Sequence, residues 1–318
     1  MTTLALPSLP SPTDFSAELR EQTAAVRLHT AALGTRRKLT TAQTAEAAAA
    51  FGASSDAVSA FKRLLDTKDP AYRAVTSLQS RATSLWRGMT VPFPEPGIRL
   101  IRKERVGDFE AAARDLQTDL GPALDALQVV YADLRVRAEH DLGDLWNPAD
   151  YPDRIDDQFR IWWDFPSVEP PDYLRALNPA LWQRQHDLIA GQFSQAVSMM
   201  EQAFAAELAS MVEHLAERLG GEDDGKPKVF RDSAIENLRD FFGRFADLSI
   251  GSSSELEAVV QSARDLVDGI DPKRLRRSAD LREHVAAGMA GIRDTLDGFM
   301  VDRPGRAIDL GDRDGGGL

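Results

Sequence analysis

Cysteine is absent from this 318-residue chain. Thiol catalysis, Cys-ligated zinc and iron–sulfur clusters are thereby excluded, and a reducing cytoplasmic compartment is the simplest reading. Long apolar runs are missing too, because Arg, Asp or Glu punctuates every extended segment; none approaches the ~18 residues that a membrane span requires. A secretory leader is not expected, since no basic residue precedes Arg20 and Pro7, Pro10 and Pro12 break up the apolar start. Positive charge is the minority sign, with 38 Lys and Arg against 50 Asp and Glu and a formal net charge of -12, opposite to the balance of most nucleic-acid binders. His-Glu-x-x-His and Gly-x-Ser-x-Gly do not occur, so zincin and α/β-hydrolase chemistry lose their markers. Gly220 to Lys226 has the spacing of a phosphate-binding loop. However, Pro227 stands where a hydroxyl should bind magnesium, Asp223 and Asp224 would repel phosphate, and the loop follows a helix. No cofactor and no resident metal are implied.

What is present suits a folded, acidic, mainly α (α+β) protein. Hydrophobic residues make up 43% of the chain, and at this length folding buries about 75% of the extended surface without staples. Val26, Leu28 and Thr30 alternate with Arg27, His29 and Ala31, a strand's period. Gly34 to Lys38 reads as a turn, Ala45 to Ala50 as a helix, and Val58, Phe61, Leu64 and Leu65 recur at helical spacing. Asp69-Pro70 opens a helix with Tyr72, Val75, Leu78 and Leu85 inward, and Gly97 to Ile101 is a strand candidate.

Two long helices dominate the pattern. From Val106 to Leu142 the apolar residues follow a seven-residue repeat, with Ala113, Leu120, Leu127 and Leu134 on one seam and Leu116, Ala123 and Val130 on the other until Arg137 interrupts it. Gly121-Pro122 predicts a kink or restart. From Pro179 to Leu219 the repeat is eleven: Phe193, Phe204 and Leu215, then Val197, Leu208 and Leu219, then Met200 and Met211. At 1.5 Å per residue each rod is about 55–60 Å long. The expectation is that they pack together as a long antiparallel helical hairpin of coiled-coil type, with a small antiparallel β-sheet near its base or tip. Whether it closes within one chain or between two copies is open, so a homo-oligomer stays among the readings. After a linker at 220–229, Ser233 to Glu236 and Ser252 to Glu255 have capping-box spacing. A third helix begins near Asp271-Pro272, breaks at Ser278, and aligns Leu281, Val285, Met289, Ile292, Leu296 and Phe299. The expected divisions are a flexible 1–13, a helical 14–105 with one or two strands, the hairpin at 106–219, a C-terminal helical bundle at 230–300 and a disordered tail at 301–318.

The most unusual segment runs from Leu142 to Trp182, with four of the five tryptophans and six of the seventeen prolines. Within the expected connection at 143–178, Phe159, Ile161, Trp163 and Phe165 alternate with Arg160, Trp162 and Asp164, which predicts a strand pairing with 97–101 and with 25–31. Aromatics at a hairpin tip suit protein contacts, so Trp146, Tyr151, Trp162, Trp163 and Tyr173 are the candidate partner-binding residues. The carboxylates Asp144, Asp150, Asp153, Asp156, Asp157, Asp164, Glu169 and Asp172 allow an alternative, a metal-dependent enzyme. Three basic clusters allow another, a nucleic-acid-associated protein: Arg36-Arg37-Lys38; Arg99 with Arg102, Lys103 and Arg105; and Lys273-Arg274 with Arg276-Arg277. Pairing with the protein's own acids is the simpler reading of those clusters. Glu139-His140, Glu213-His214 and Glu283-His284 are adjacent pairs whose side chains diverge by about 100° on a helix, and they read as solvated.

The run Arg27 to Leu39, the stretch from Trp86 through Pro92 to Ile101, Leu142-Gly-Asp-Leu-Trp146 with Ala149 to Pro152, and Trp163 to Pro171 together resemble an uncharacterised prokaryotic and phage family known by a domain-of-unknown-function label. The resemblance spans roughly residues 20–300. It implies a helical protein and, since some members lie near genes for MoxR-type AAA+ ATPases and VWA-domain proteins, an adaptor or substrate role in a remodelling system, with one of those proteins as partner. It implies no active-site residues. The resulting expectation is a non-enzymatic, cytoplasmic protein–protein interaction protein of phage or mobile-element origin that does not bind a membrane.

Overall fold

The computed structural model describes residues 12–220, 222–223, 226–227, 233–250 and 252–301. Of the expected loose ends at 1–13 and 301–318, residues 1–11 and 302–318 lie outside the described residues, as does half of the linker at 220–229. The fold is mainly helical with a small antiparallel sheet. Pro12, which needs no N–H partner, opens α1 (Pro12–Gln22), and the chain passes directly into strand β1 (Thr23–Ala31). After β2 (Arg36–Lys38), Thr40 and Gln43 form a reciprocal capping box on α2 (Thr41–Ala49). A tight turn at Ser55–Ala57 leads to β3 (Phe61–Arg63), and Asp69 caps α3 (Pro70–Gly88) through the amide of Ala71. Short strands β4 (Thr90–Pro92) and β5 (Arg99–Arg102) precede α4 (Val106–Leu142), which ends where Gly143 takes a positive φ of 51°. Next come β6 (Arg160–Asp164), α5 (Asp172–Leu177), α6 (Pro179–Gly220) and the two-residue strands β7 (Glu222–Asp223) and β8 (Lys226–Pro227). The chain finishes with α7 (Ser233–Leu248), α8 (Ser254–Val267), α9 (Pro272–Arg277) and α10 (Ala279–Val301).

The chain divides into two compact units, each assembled from separated segments. One comprises the residues up to Val26, Met89–Lys103 and everything from Phe165 onward; the other comprises Arg27–Gly88 and Glu104–Asp164. The sheet has the order β4-β5-β1-β6 and is antiparallel throughout. Thr23–Val26 of β1 pair with β5 in the first unit, and Arg27–Ala31 pair with β6 in the second. The strand at 160–164 therefore pairs with β1, and its expected pairing with 97–101 is not formed among the described residues.

Each unit has its own core. In the first, α6 carries the eleven-residue stripe: Phe193, Met200, Phe204, Leu208, Leu215 and Leu219 are buried, while Val197 and Met211 pack against them. α10, α1, α7 and α8 cover that stripe, with Val285, Met289, Ile292 and Leu296 buried as the spacing predicts. The Phe299 side chain lies outside the described residues. Gly288 lets α10 approach α8 closely, since a Cβ there would come within 2.5 Å of Leu266. In the second unit α4 packs on α3. Leu116, Leu120, Leu127 and Leu134 bury against Tyr72, Val75, Leu78 and Ala82 of α3.

The expected hairpin between the two long rods is thus corrected, because α4 finds its partner in α3 and α6 finds its partner in α10. The two stripes have different periods, and stripes of seven and eleven residues rotate in opposite senses around straight helices, so they part company over this length. The same drift explains how α4 passes Arg137: Tyr131 and Ala138, one residue beyond the expected seam, are buried in its place. Pro122 produces no restart, and α4 runs as one assigned helix of 37 residues. The expected turn at 34–38 and helix around 58–65 are also corrected. Arg36–Lys38 pair with Phe61–Arg63 as an antiparallel ribbon, extended by the bonds Leu39 N to Ala60 O and Leu64 N to Thr35 O. Leu64 and Leu65 enter the core while Phe61 faces solvent.

Candidate functional site

The Trp- and Pro-rich segment is divided between core and surface. Tyr151 is 5% exposed, and its hydroxyl donates to the Leu64 carbonyl at 2.9 Å. Burial pushes this phenol's pKa up, with Asp150 adding to the effect. Trp146 stacks on it at 6.0 Å and packs against the same core. Trp163 sits edge-on to Phe109 at 6.1 Å, its indole nitrogen 3.5 Å from Glu110. Of these three candidates Tyr151 is buried, while Trp146 and Trp163 are partly buried. Tyr173 belongs to the other unit and is 63% exposed on α5.

Trp162 is different. The β1–β6 register places it opposite His29, and neighbours across an antiparallel pair share a face. The two rings stack at 4.9 Å with planes 7° apart. His29 Nε2 lies 2.9 Å from Asp164 Oδ1, so the ring beneath Trp162 is itself pinned. Trp162 remains 42% exposed. Arg27 and Arg160 occupy the same face, by register and alternation. Gln117 on α4 donates to the Ile161 carbonyl of β6 at 2.8 Å, and Gln79 on α3 donates to the Ala31 carbonyl of β1 at 2.6 Å.

Several of the carboxylates of 144–172 have local cations. Lys62 holds Asp150 at 2.6 Å with Arg37 at 3.8 Å, and Arg154 pairs with Asp156 and Asp157. The Arg154 hydrogen bond holds the Asp156 carboxyl below its ordinary value. Among the described residues no three His, Asp or Glu side chains gather as a metal shell, and His140, His214 and His284 are exposed.

A cleft of about 480 Å³ in the first unit is lined by Arg20, Glu169 and His186 with Ala190 and Phe193 beneath. Arg20 forms a two-pronged ion pair with Glu169, Nε to Oε1 at 2.6 Å, and donates from Nη1 to His186 Nε2 at 3.0 Å. Trp182 stacks on His186 at 5.1 Å, with Arg175 over the indole. All three nitrogens of Arg20 are thereby engaged, which makes this a structural tie between α1 and the 165–171 segment. The Arg20 hydrogen bond lowers the Glu169 carboxyl pKa from its ordinary value of 4.5, against a smaller opposing effect of desolvation. A carboxyl depressed in the folded state stabilises above its unfolded pKa, and that stabilisation is lost as pH falls through the folded value. Glu169 is about half exposed, so screening keeps the pair below about 1 kcal/mol. Melting temperatures measured from pH 6 downward should fall more steeply below pH 4.5 for the wild type than for Glu169→Gln; parallel curves would contradict the assignment.

The second basic cluster is tied to its own chain. Arg99 bonds Thr90, Lys103 bonds the Glu21 carbonyl, and Arg105 pairs with Asp108. In the ribbon at Arg36–Lys38, Arg37 faces Asp150 while Lys38 forms no ion pair among the described residues; sequence reasoning missed the ribbon's second strand. Among the described residues no helix is long and apolar enough to cross a membrane. Comparison of the chain with protein-family models, curated proteins and solved structures yields no match.

Proposed function

We propose that this chain is a non-enzymatic adaptor that docks another protein on the β1–β6 face, with Trp162 as the anchor. The observation that carries the reading is the rigid stack of Trp162 on His29, held in turn by Asp164. A large side chain that is already immobilised loses little entropy on binding, and a half-exposed Trp flanked by arginines has the composition of an interface hot spot. The fitting partner presents an apolar pocket for an indole with acidic groups at its rim. The family resemblance points, by analogy alone, to a AAA+ ATPase or a VWA-domain protein of a remodelling system, in a phage or mobile-element setting.

The test is affinity capture from the native host with wild-type and Trp162→Ala baits. A partner held by the wild type should be depleted about tenfold or more from the variant, the cost of losing a hot-spot Trp, while the two baits melt within a few degrees of each other. Equal capture by both baits would remove Trp162 from the interface, and a large drop in melting temperature would make it a packing residue.

A further inference from the structure

The β2–β3 ribbon gathers basic residues that are 24 or more positions apart in sequence. Its register sets Arg36 against Arg63, Arg37 against Lys62 and Lys38 against Phe61. Alternation divides these pairs between two faces. Arg37 and Lys62 turn toward Asp150, where the Lys62 ammonium also bonds the Leu145 carbonyl at 2.7 Å. The opposite face carries Arg36, Lys38, Arg63 and Phe61, all exposed. Among the described residues Lys38 and Arg63 form no ion pair.

Two features of this face run against ordinary surface economy. Like charges directly across a ribbon destabilise it, yet Arg36 and Arg63 are such a pair. An aromatic ring is left 52% exposed beside them, with the Arg36 guanidinium 5.2 Å from its centroid. Local rules broken together on one exposed patch mark a functional surface. Along the sequence, residues 27–88 contain ten Lys and Arg against four Asp and Glu. The connection between the two strands adds Phe51, which is 89% exposed.

We propose that the outward face of this ribbon binds single-stranded nucleic acid, with phosphates meeting Arg36, Lys38 and Arg63 and a base stacking on Phe61. Cations alone would suit any polyanion. The aromatic set among them selects a strand whose bases are free to stack, because every base offers a π-face and a duplex hides it. This site is separate in residues and chemistry from the Trp162 face, so either can fail without the other.

Fluorescence anisotropy with a short labelled oligothymidylate, its duplex form and an oligoglutamate tests the proposal on the full chain. The wild type should prefer the single strand, with log K falling against log salt at a slope of about -2 for three phosphate contacts. Phe61→Ala should weaken single-strand binding about tenfold and Phe61→Trp should restore it. Lys38→Ser with Arg63→Ser should reduce the slope by about 1.4. No wild-type binding at low salt, a preference for the duplex, or insensitivity to Phe61→Ala would each overturn the proposal. Tighter binding of oligoglutamate would assign the ribbon to an acidic protein and overturn it as well.

Discussion

Phe241→Ala should be the most damaging single substitution in the first unit, lowering stability by about 3–5 kcal/mol. Phe241 is fully buried on α7 and stands at the centre of an aromatic cluster. Phe204 meets it edge-on at 6.0 Å, Phe242 at 5.8 Å, and Phe245 stacks at 6.2 Å. Phe204 comes from α6 and the other three from α7, so the ring ties the two helices together at their contact. Truncation removes both the transfer free energy and the edge-to-face contacts, and rings held by three neighbours cannot all collapse into the space left. For a unit of this size the thermal midpoint should fall by roughly 6–20 °C. A drop of only a degree or two in a calorimetric scan would mean that the α6–α7 contact is not packed as described.

Glu201→Ala should be the most costly polar substitution. Glu201 lies on α6, is 4% exposed, and accepts the Ser253 amide at 2.6 Å. Ser253 is the N-cap of α8, its hydroxyl accepting from Leu256. The capping box that the sequence suggests at Ser252 and Glu255 is thus displaced by one residue. Its acidic half comes from another helix, with Glu201 serving the N-cap amide where a residue at the third helical position normally would. A carboxylate at the start of a helix also meets the positive end of its dipole. Removing it strands a buried donor and loses a charge-assisted bond, together worth about 2–3 kcal/mol. Glu201→Gln keeps an acceptor and should cost clearly less. Chemical denaturation of the two variants side by side is the check; equal losses would show that the acceptor retained by Gln contributes nothing and that the charge alone carries the effect.

The parts of the fold readable from sequence were those with a period to read. The eleven-residue stripe of α6, the helix opened by Asp69-Pro70, the break at Ser278 and the outward place of Trp162 all follow from spacing along one element. Pairing is another matter. The stripe on α4 is a good heptad, but nothing local to it says that α3, with Tyr72, Val75 and Leu78, is the matching surface. Tyr151 lies among short turns where no alternation distinguishes inside from outside, and its burial depends on the Leu64 carbonyl, 87 residues away. Trp163 was separable from Trp162 by alternation alone, since the two point to opposite faces of one strand. The basic ribbon was hidden most thoroughly. Its strands are three residues long, and Val58, Phe61, Leu64 and Leu65 imitate a helical stripe while two of the four enter the core from a strand end and its following loop.

Hydrogen exchange of the Phe241→Ala variant tests most directly the claim that the two long helices answer to different cores. Faster exchange should appear in α6, α7, α8 and α10, with α3 and α4 as protected as in the wild type. Loss of protection in α4 together with α6, as a zipped hairpin would show, contradicts the account.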